Sequence, residues 1–271
     1  AGVLTYLAGH AIPGLETVVD GVLDREVVIG GRSTRMRLWL DTPGDDSDAA
    51  APATGVVARL ALDGLGARGP RGAGEQCKND LDADAEAIDA ALGADQHLAG
   101  LVARFPGVRI PGAIDPAETL IRTMVGQQVS IAGASTLLGR LVATIGDGRF
   151  PTPATIAERG REALVGPTRR IDAIIGAASA IADGSLDLDA DTPEHLIARL
   201  VAMPGIGPWT AGYVAMRTVR ASDVLLSSDL VMLHAARDLG LATTARELSS
   251  VGAAWAPWRT YAGLRLWRSR A

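Results

Sequence analysis

Between Gly205 and Asp229 the chain gathers residue types that can do chemistry. Asp229 follows Ser227-Ser228 and precedes the apolar run Leu230-Val231-Met232-Leu233, a pattern that opens a helix with Asp229 at or near its cap. A carboxylate there can satisfy the free N–H groups of the helix, the commonest fate of an aspartate at such a position. It can also face a ligand, stabilise positive charge and position water. Twenty residues upstream, Trp209 and Tyr213 are spaced i, i+4, so on a helix their rings share one face. Just before them Pro204-Gly205-Ile206-Gly207 makes a tight hairpin, and Pro208 suits the first position of the next helix. Glycines let the backbone approach a phosphate closely, and a helix start adds free N–H groups and the positive end of its dipole. Gly205, Gly207 and Thr210 would be the amides facing such a phosphate. A plain αα-corner needs the same glycines, so the hairpin alone leaves the two readings close to even.

These residues need a helical frame, and the apolar spacing supplies one. Helical patterns cover Ala85–Leu92 and Ala94–Ala103, and Asp115-Pro116, with Glu118 three residues after Asp115, opens another in the manner of a capping box. Its amphipathic pattern through Leu120, Met124, Val125 and Val129 is interrupted by Gly126-Gln127-Gln128, which breaks or kinks it. Ile156–Leu164, Arg169–Ala182, Pro193–Met203, Thr243–Ala253 and Pro257–Trp267 follow, with a helix from Pro208 to about Val219 behind the hairpin. The first sixty residues differ: Val18-Val19, Val27-Val28-Ile29, Met36 to Leu40 and Val56 to Leu60 are short β-rich runs punctuated by glycine and proline. The chain therefore reads as an α+β unit over 1–80 and a helical region over 81–271. The stretch 64–80 has no helical periodicity and holds the only cysteine, lysine and asparagine, Cys77, Lys78 and Asn79. We expect it to be poorly ordered and without function.

At 271 residues the chain can bury a sizeable core, and 48% hydrophobic content without an apolar run of membrane length reads as a soluble globular protein. No signal peptide is visible. A single cysteine excludes an intrachain disulfide and a cysteine-rich metal cluster, and His10, His97, His195 and His234 lack ligand spacing. The net charge of −5 conceals an uneven distribution. Residues 1–100 carry 8 Lys+Arg against 16 Asp+Glu, whereas from Val201 onward the ratio is 8 to 4. A locally positive part of an acidic protein is compatible with DNA.

The stretches PGIGPWTAGYVAMR, GQQVS and WAPWRTYAGLRLW together resemble the AlkA-like 3-methyladenine DNA glycosylases of bacteria, within the helix-hairpin-helix DNA glycosylase superfamily. The likeness covers most of the chain from Arg109 to Trp267, and YLAGHAIPGLETV resembles the opening of that family's sheet domain. It implies a small N-terminal antiparallel sheet domain, then a mostly α-helical helix-hairpin-helix glycosylase core with the active-site cleft between helical subdomains. It also implies a start several residues earlier, so that Ala1 is a truncation or the remnant of a longer fusion.

The resemblance further implies a site. Asp229 is the catalytic carboxylate; Trp209, Tyr213 and Trp267 line the base pocket, with Tyr6 at its rim. Gln128 is the wedge that fills the gap left by a flipped base, Gly205, Gly207 and Thr210 bind DNA phosphate, and main-chain carbonyls of Val201, Met203 and Ile206 hold a Na or K ion. For Tyr6 a packed core tyrosine is at least as good an account, and for Gln128 the plain alternative is a helix-breaking surface turn. Electron-rich rings suit a base made cationic by alkylation. An alkylated purine is already a good leaving group, so a carboxylate that stabilises an oxocarbenium-like sugar and positions water suffices. Bifunctional relatives place a nucleophilic lysine where this chain has Trp209, so no lyase activity is expected. The implied protein is a bacterial cytoplasmic monomer acting on double-stranded DNA with alkylated bases, without membrane or required cofactor. The alternatives are a non-catalytic helix-hairpin-helix DNA-binding module and a glycosylase for other damaged bases.

Overall fold

The β-rich runs near the amino terminus pair as a meander. The computed structural model describes residues 9–29, 32–41, 57–62, 80, 83–113, 115–189 and 192–270. Strands β1 (Glu16–Val19), β2 (Val22–Ile29), β3 (Arg32–Asp41) and β4 (Val57–Leu62) form one antiparallel sheet in the order β1-β2-β3-β4. Val19 pairs with Val22 across Asp20 and Gly21, at φ 49° and 75°, the two positive angles that a type I′ hairpin requires. Period-two alternation puts Leu23, Val27 and Met36 on the buried face. Arg25 shares that face, and its charge is met by Glu16 on the paired strand at 2.8 Å.

Eleven helices are seen among the described residues: α1 (Ala85–Gly93), α2 (Ala99–Arg104), α3 (Pro116–Val125), α4 (Ile131–Ile145), α5 (Pro153–Ala163), α6 (Thr168–Ala182), α7 (Pro193–Val201), α8 (Pro208–Thr218), α9 (Leu230–Asp238), α10 (Ala245–Gly252) and α11 (Arg259–Arg268). The α+β fold class expected from the sequence is the one observed. Side chains cap most helix starts: Asp84, Ser130, Thr152, Thr192 and Asp229 each accept from a first-turn N–H, and Thr244 with Glu247 closes a full capping box. Asp115 likewise accepts the Ala117 and Glu118 N–H groups. The stretch 63–79, including Cys77, Lys78 and Asn79, lies outside the described residues.

The chain forms two compact units interleaved in sequence. One comprises residues 1–75 and 124–182, the other 76–123 and 183–271. Helices α4 to α6 thus return to the unit that holds the sheet, although composition placed the divide at residue 80 alone. Within that unit Ser135 of α4 donates to the Ala11 carbonyl at 2.7 Å, and Gly139 leaves the space that Pro13 occupies.

The second unit is built round Ile88, Leu92, Leu98, Ile110, Leu248, Trp255, Tyr261 and Leu266, all nearly inaccessible. Most buried polar groups in it are matched, the Nε of Arg265 being the exception. Tyr261 donates its hydroxyl to Asp80 at 2.5 Å, and burial with that bond pushes the phenol well above its ordinary range. Arg265, fully buried, pairs with Asp89.

What matters for the site is the link from Val219 to Asp229. Thr260, second residue of α11, accepts the Val224 N–H at 2.9 Å and donates to the Ala221 carbonyl at 2.6 Å. Arg259 grips both oxygens of Asp223, at 2.6 and 2.7 Å. Val224 and Leu226 pass over Gly212 of α8, where a Cβ would come within 3.1 and 2.9 Å of their side chains.

Two outcomes follow from these staples. The Arg259 hydrogen bond holds the Asp223 carboxyl below its ordinary value of 3.8, so the pair stabilises the fold above that pH and ceases to as pH falls through the lower folded value. Urea denaturation should find Asp223→Asn less stable than wild type near neutrality, with the gap narrowing as pH falls below 3.8; an unchanged gap would contradict the tether. Gly212→Ala should cost about 1–3 kcal/mol in the same assay, because the link has no room to yield.

Candidate active site

Helix α7 stops at Val201, and the chain turns back through hydrogen bonds from Met203 N–H to the Leu200 carbonyl (3.0 Å) and from Ile206 N–H to the Met203 carbonyl (3.2 Å). Gly205 takes φ 80°, a left-handed angle that favours glycine. Ile206 is buried and anchors the hairpin, while Gly205 and Gly207 are exposed. Gly207 caps α8 without any side-chain cap, and a Cβ placed on it would meet nothing within 4 Å. The helix start therefore opens onto free space. The Thr210 side chain is buried, so its phosphate contact would be made by the amide alone.

Asp229 is the cap of α9, and it is more than that. Its Oδ1 accepts the Val231 and Met232 N–H groups, both at 2.9 Å. The same Oδ1 accepts the indole N–H of Trp267 at 2.8 Å, and Oδ2 accepts that of Trp209 at 3.1 Å. All four groups are donors, matching a carboxylate that only accepts. The load is uneven: Oδ1 takes three hydrogen bonds, Oδ2 one. Asp229, Trp209, Tyr213 and Trp267 are all half-buried, so this cluster remains open to solvent on one side.

The rings are arranged by the same contacts. Trp209 and Tyr213 stack with centroids 5.4 Å apart and planes 5° from parallel, and Trp267 meets Tyr213 edge-on at 6.3 Å. Inserting a third ring between parallel rings needs about 7 Å, two layers of carbon contact at ~3.5–4.0 Å each. A planar ligand would therefore stack on an outer face of the pair. Arg217 fixes the tyrosine: its guanidinium donates to the Tyr213 hydroxyl at 2.7 Å and to the carbonyls of Pro111 (2.7 Å) and Gly112 (3.0 Å).

The sequence reading placed Asp229, Trp209, Tyr213 and Trp267 in one site, and the structure brings them together. It missed that the tryptophans present N–H edges to the carboxylate, and it missed Arg217, whose i, i+4 spacing from Tyr213 was the available signal. Gln128 belongs to the other unit. It is exposed, with φ 58°, in the turn that separates α3 from α4, and Arg170 holds that turn through the Gln127 carbonyl at 2.9 Å. A non-glycine residue at positive φ is uncommon and is often found at working sites. Tyr6 lies outside the described residues.

Among the described residues no cluster of three or more His, Cys, Asp or Glu could hold a metal ion. Of the hairpin carbonyls considered for a monovalent cation, that of Met203 spends one lone pair on Ile206 and keeps the other. No helix among the described residues is long and apolar enough to cross a membrane.

Comparison with known proteins places this geometry. Residues 1–115 match the family model described as the AlkA N-terminal domain. Over 98% of its length the chain is 38% identical to the probable bifunctional transcriptional activator/DNA repair enzyme AlkA of Mycobacterium tuberculosis, and it spans 54% of that protein, about half. It is 30% identical to DNA-3-methyladenine glycosylase 2 of Escherichia coli over 97% of this chain and 91% of that one. The solved 3-methyladenine DNA glycosylase of Schizosaccharomyces pombe, in complex with abasic DNA, superposes with a TM-score of 0.61 at 27% identity, covering 68% of this chain and 96% of that one. The Archaeoglobus fulgidus 3-methyladenine DNA-glycosylase shares the fold, with a TM-score of 0.74 at 19% identity over 97% of this chain and 92% of that one. A relative 30% identical and matched along 91% of its length settles the kinship: the chain belongs to the AlkA-like 3-methyladenine DNA glycosylase family.

Proposed function

We propose that the chain is a monofunctional DNA glycosylase. It hydrolyses the N-glycosidic bond of alkylated bases, of the 3-methyladenine and 7-methylguanine type, in double-stranded DNA and leaves an abasic site. The observation that carries this reading is the Asp229 carboxylate, held by the N–H edges of Trp209 and Trp267 beside a stacked aromatic pair. The relatives in E. coli and Bacillus subtilis that bear the name DNA-3-methyladenine glycosylase support it.

A base inside a duplex is out of reach, so the target nucleotide must be extruded. Gln128, exposed on its strained turn, enters the gap as the wedge, and its polar end can hydrogen-bond to the orphaned base. Amides of Gly205, Gly207 and Thr210 anchor a phosphate at the start of α8. The extruded base stacks on the outer face of the Trp209–Tyr213 pair. A positive charge on an alkylated base gains about 0.5–2 kcal/mol per aromatic contact. Oδ2 of Asp229, the oxygen with spare lone-pair capacity, faces the sugar, stabilises the oxocarbenium-like state and orients the attacking water. The only lysine, Lys78, is far in sequence from these residues, in keeping with hydrolysis without lyase chemistry. The main-chain carbonyls of Val201, Met203 and Ile206 would hold a Na or K ion, whose contribution is to stiffen the hairpin. The protein works as a monomer in the bacterial cytoplasm, where its substrate lies.

Release of 3-methyladenine and 7-methylguanine from methylated duplex tests this reading. Asn keeps one oxygen for the cap but turns its NH2 toward the Trp209 indole N–H, so Asp229→Asn should lose about 1–3 kcal/mol of stability and Asp229→Ala at least as much, both still folding. Base release by the folded Asp229→Asn variant should fall by about 10²–10³-fold. Equal release by the two proteins would remove the catalytic assignment, and no release by wild type would leave a module that only grips DNA.

A further inference from the structure

At the carboxy-terminal ends of α2 and α11, two arginines close on a single ring. The Arg104 Cζ lies 4.9 Å from the centroid of Phe105, and the Arg268 Cζ lies 4.7 Å from it. The two guanidinium carbons are therefore within about 10 Å of each other. Both arginines are exposed, and Phe105 beneath them is half-buried.

Neighbouring arginines in this unit are neutralised by acids: Arg259 by Asp223, Arg265 by Asp89, Arg270 by Asp238. Among the described residues, Arg104 and Arg268 have no carboxylate partner and no hydrogen bond of their guanidinium groups. A cation in the last turn of a helix gains about 0.3–1 kcal/mol from the helix dipole, which accounts for each arginine separately. Cation–π attraction of about 0.5–1 kcal/mol each draws both to the Phe105 ring but leaves their charges without an acid to pair with. Two like charges within about a Debye length repel, and each arginine could lie over solvent instead.

Seating both on one ring restricts their freedom in advance, and each presents a planar fork whose donors match phosphate oxygens. The charge has no counterpart within the described protein, so it is complementary to an external polyanion. Arg268 is also the residue directly after Trp267, whose indole N–H holds Asp229. We propose that Arg104 and Arg268, seated on Phe105, form a second phosphate-binding site, distinct from the hairpin, that grips backbone phosphates of the DNA duplex whose damaged base faces Asp229. This rests on the glycosylase reading.

The test is duplex binding by fluorescence anisotropy across a salt series, using wild type, Arg104→Ala/Arg268→Ala, and Arg104→Lys/Arg268→Lys. Each lost phosphate contact lowers the slope of log affinity against log salt by about 0.9. The alanine pair should therefore flatten the slope by about 1–2 and weaken binding about tenfold or more at low salt, equally on intact and methylated duplex. The lysine pair should keep most of the slope. Single-turnover base release at saturating enzyme should stay at the wild-type value, because neither residue belongs to the base site, and the melting temperature should fall by no more than a few degrees from the lost dipole and ring contacts. A wild-type slope and affinity in the alanine pair would overturn the second site alone. Failure of wild type to bind or cleave would instead overturn the glycosylase reading on which it rests.

Discussion

Everything about this site depends on how one carboxylate is satisfied. A half-buried Asp229 beside three aromatic rings has lost part of its water, and an unpaired acceptor in such a place costs about 1–3 kcal/mol or more. Four donors replace that water, two from the first turn of α9, one from α8 and one from α11. The carboxylate is thereby the point at which three helices are held in register. The staples of the link before it serve this end: Thr260, Asp223 with Arg259, and the open face of Gly212 deliver the chain to Asp229 at the right height.

Helix cap and catalytic group looked like rival accounts of this residue, and the geometry makes them one. Oδ1 is taken up by the cap and by Trp267, which fixes the plane of the carboxyl group. Oδ2 carries only the Trp209 bond and keeps capacity for a further partner. Asymmetric loading of this kind orients a group without exhausting it, the condition for preorganised electrostatic stabilisation. Arg217 does similar work for the rings, tying Tyr213 to the segment at Pro111 and Gly112.

Local chemistry was legible in the sequence, and long-range chemistry largely was not. The cap at Asp229, the helix opening at Asp115-Pro116, the start of α8 at Pro208 and the break at Gly126-Gln127-Gln128 follow from rules spanning three or four residues, and each is where the pattern put it. The strands near Val27 and Met36 were likewise visible as short β-rich runs. Which side of Trp267 meets Asp229 is another matter. That contact spans 38 residues and depends on the rotamer of an indole, so residue type announces a ring but not its edge. The same limit hid the return of α4 to α6 to the sheet's unit, which rests on Ser135 and Gly139 meeting residues 11 and 13. Phe105 between two arginines joins α2 to the end of α11, and no spacing rule reaches that far.

The central claim is that the indole N–H groups act through the carboxylate. A double-mutant cycle on single-turnover release of 7-methylguanine, pairing Trp267→Phe with Asp229→Asn, tests it directly. Phenylalanine keeps an aromatic ring while removing the donor. If the claim holds, Trp267→Phe slows release in the wild-type background and has little further effect once Asp229 is Asn, a coupling of about 1–3 kcal/mol. Independent, multiplying losses from the two substitutions would contradict it.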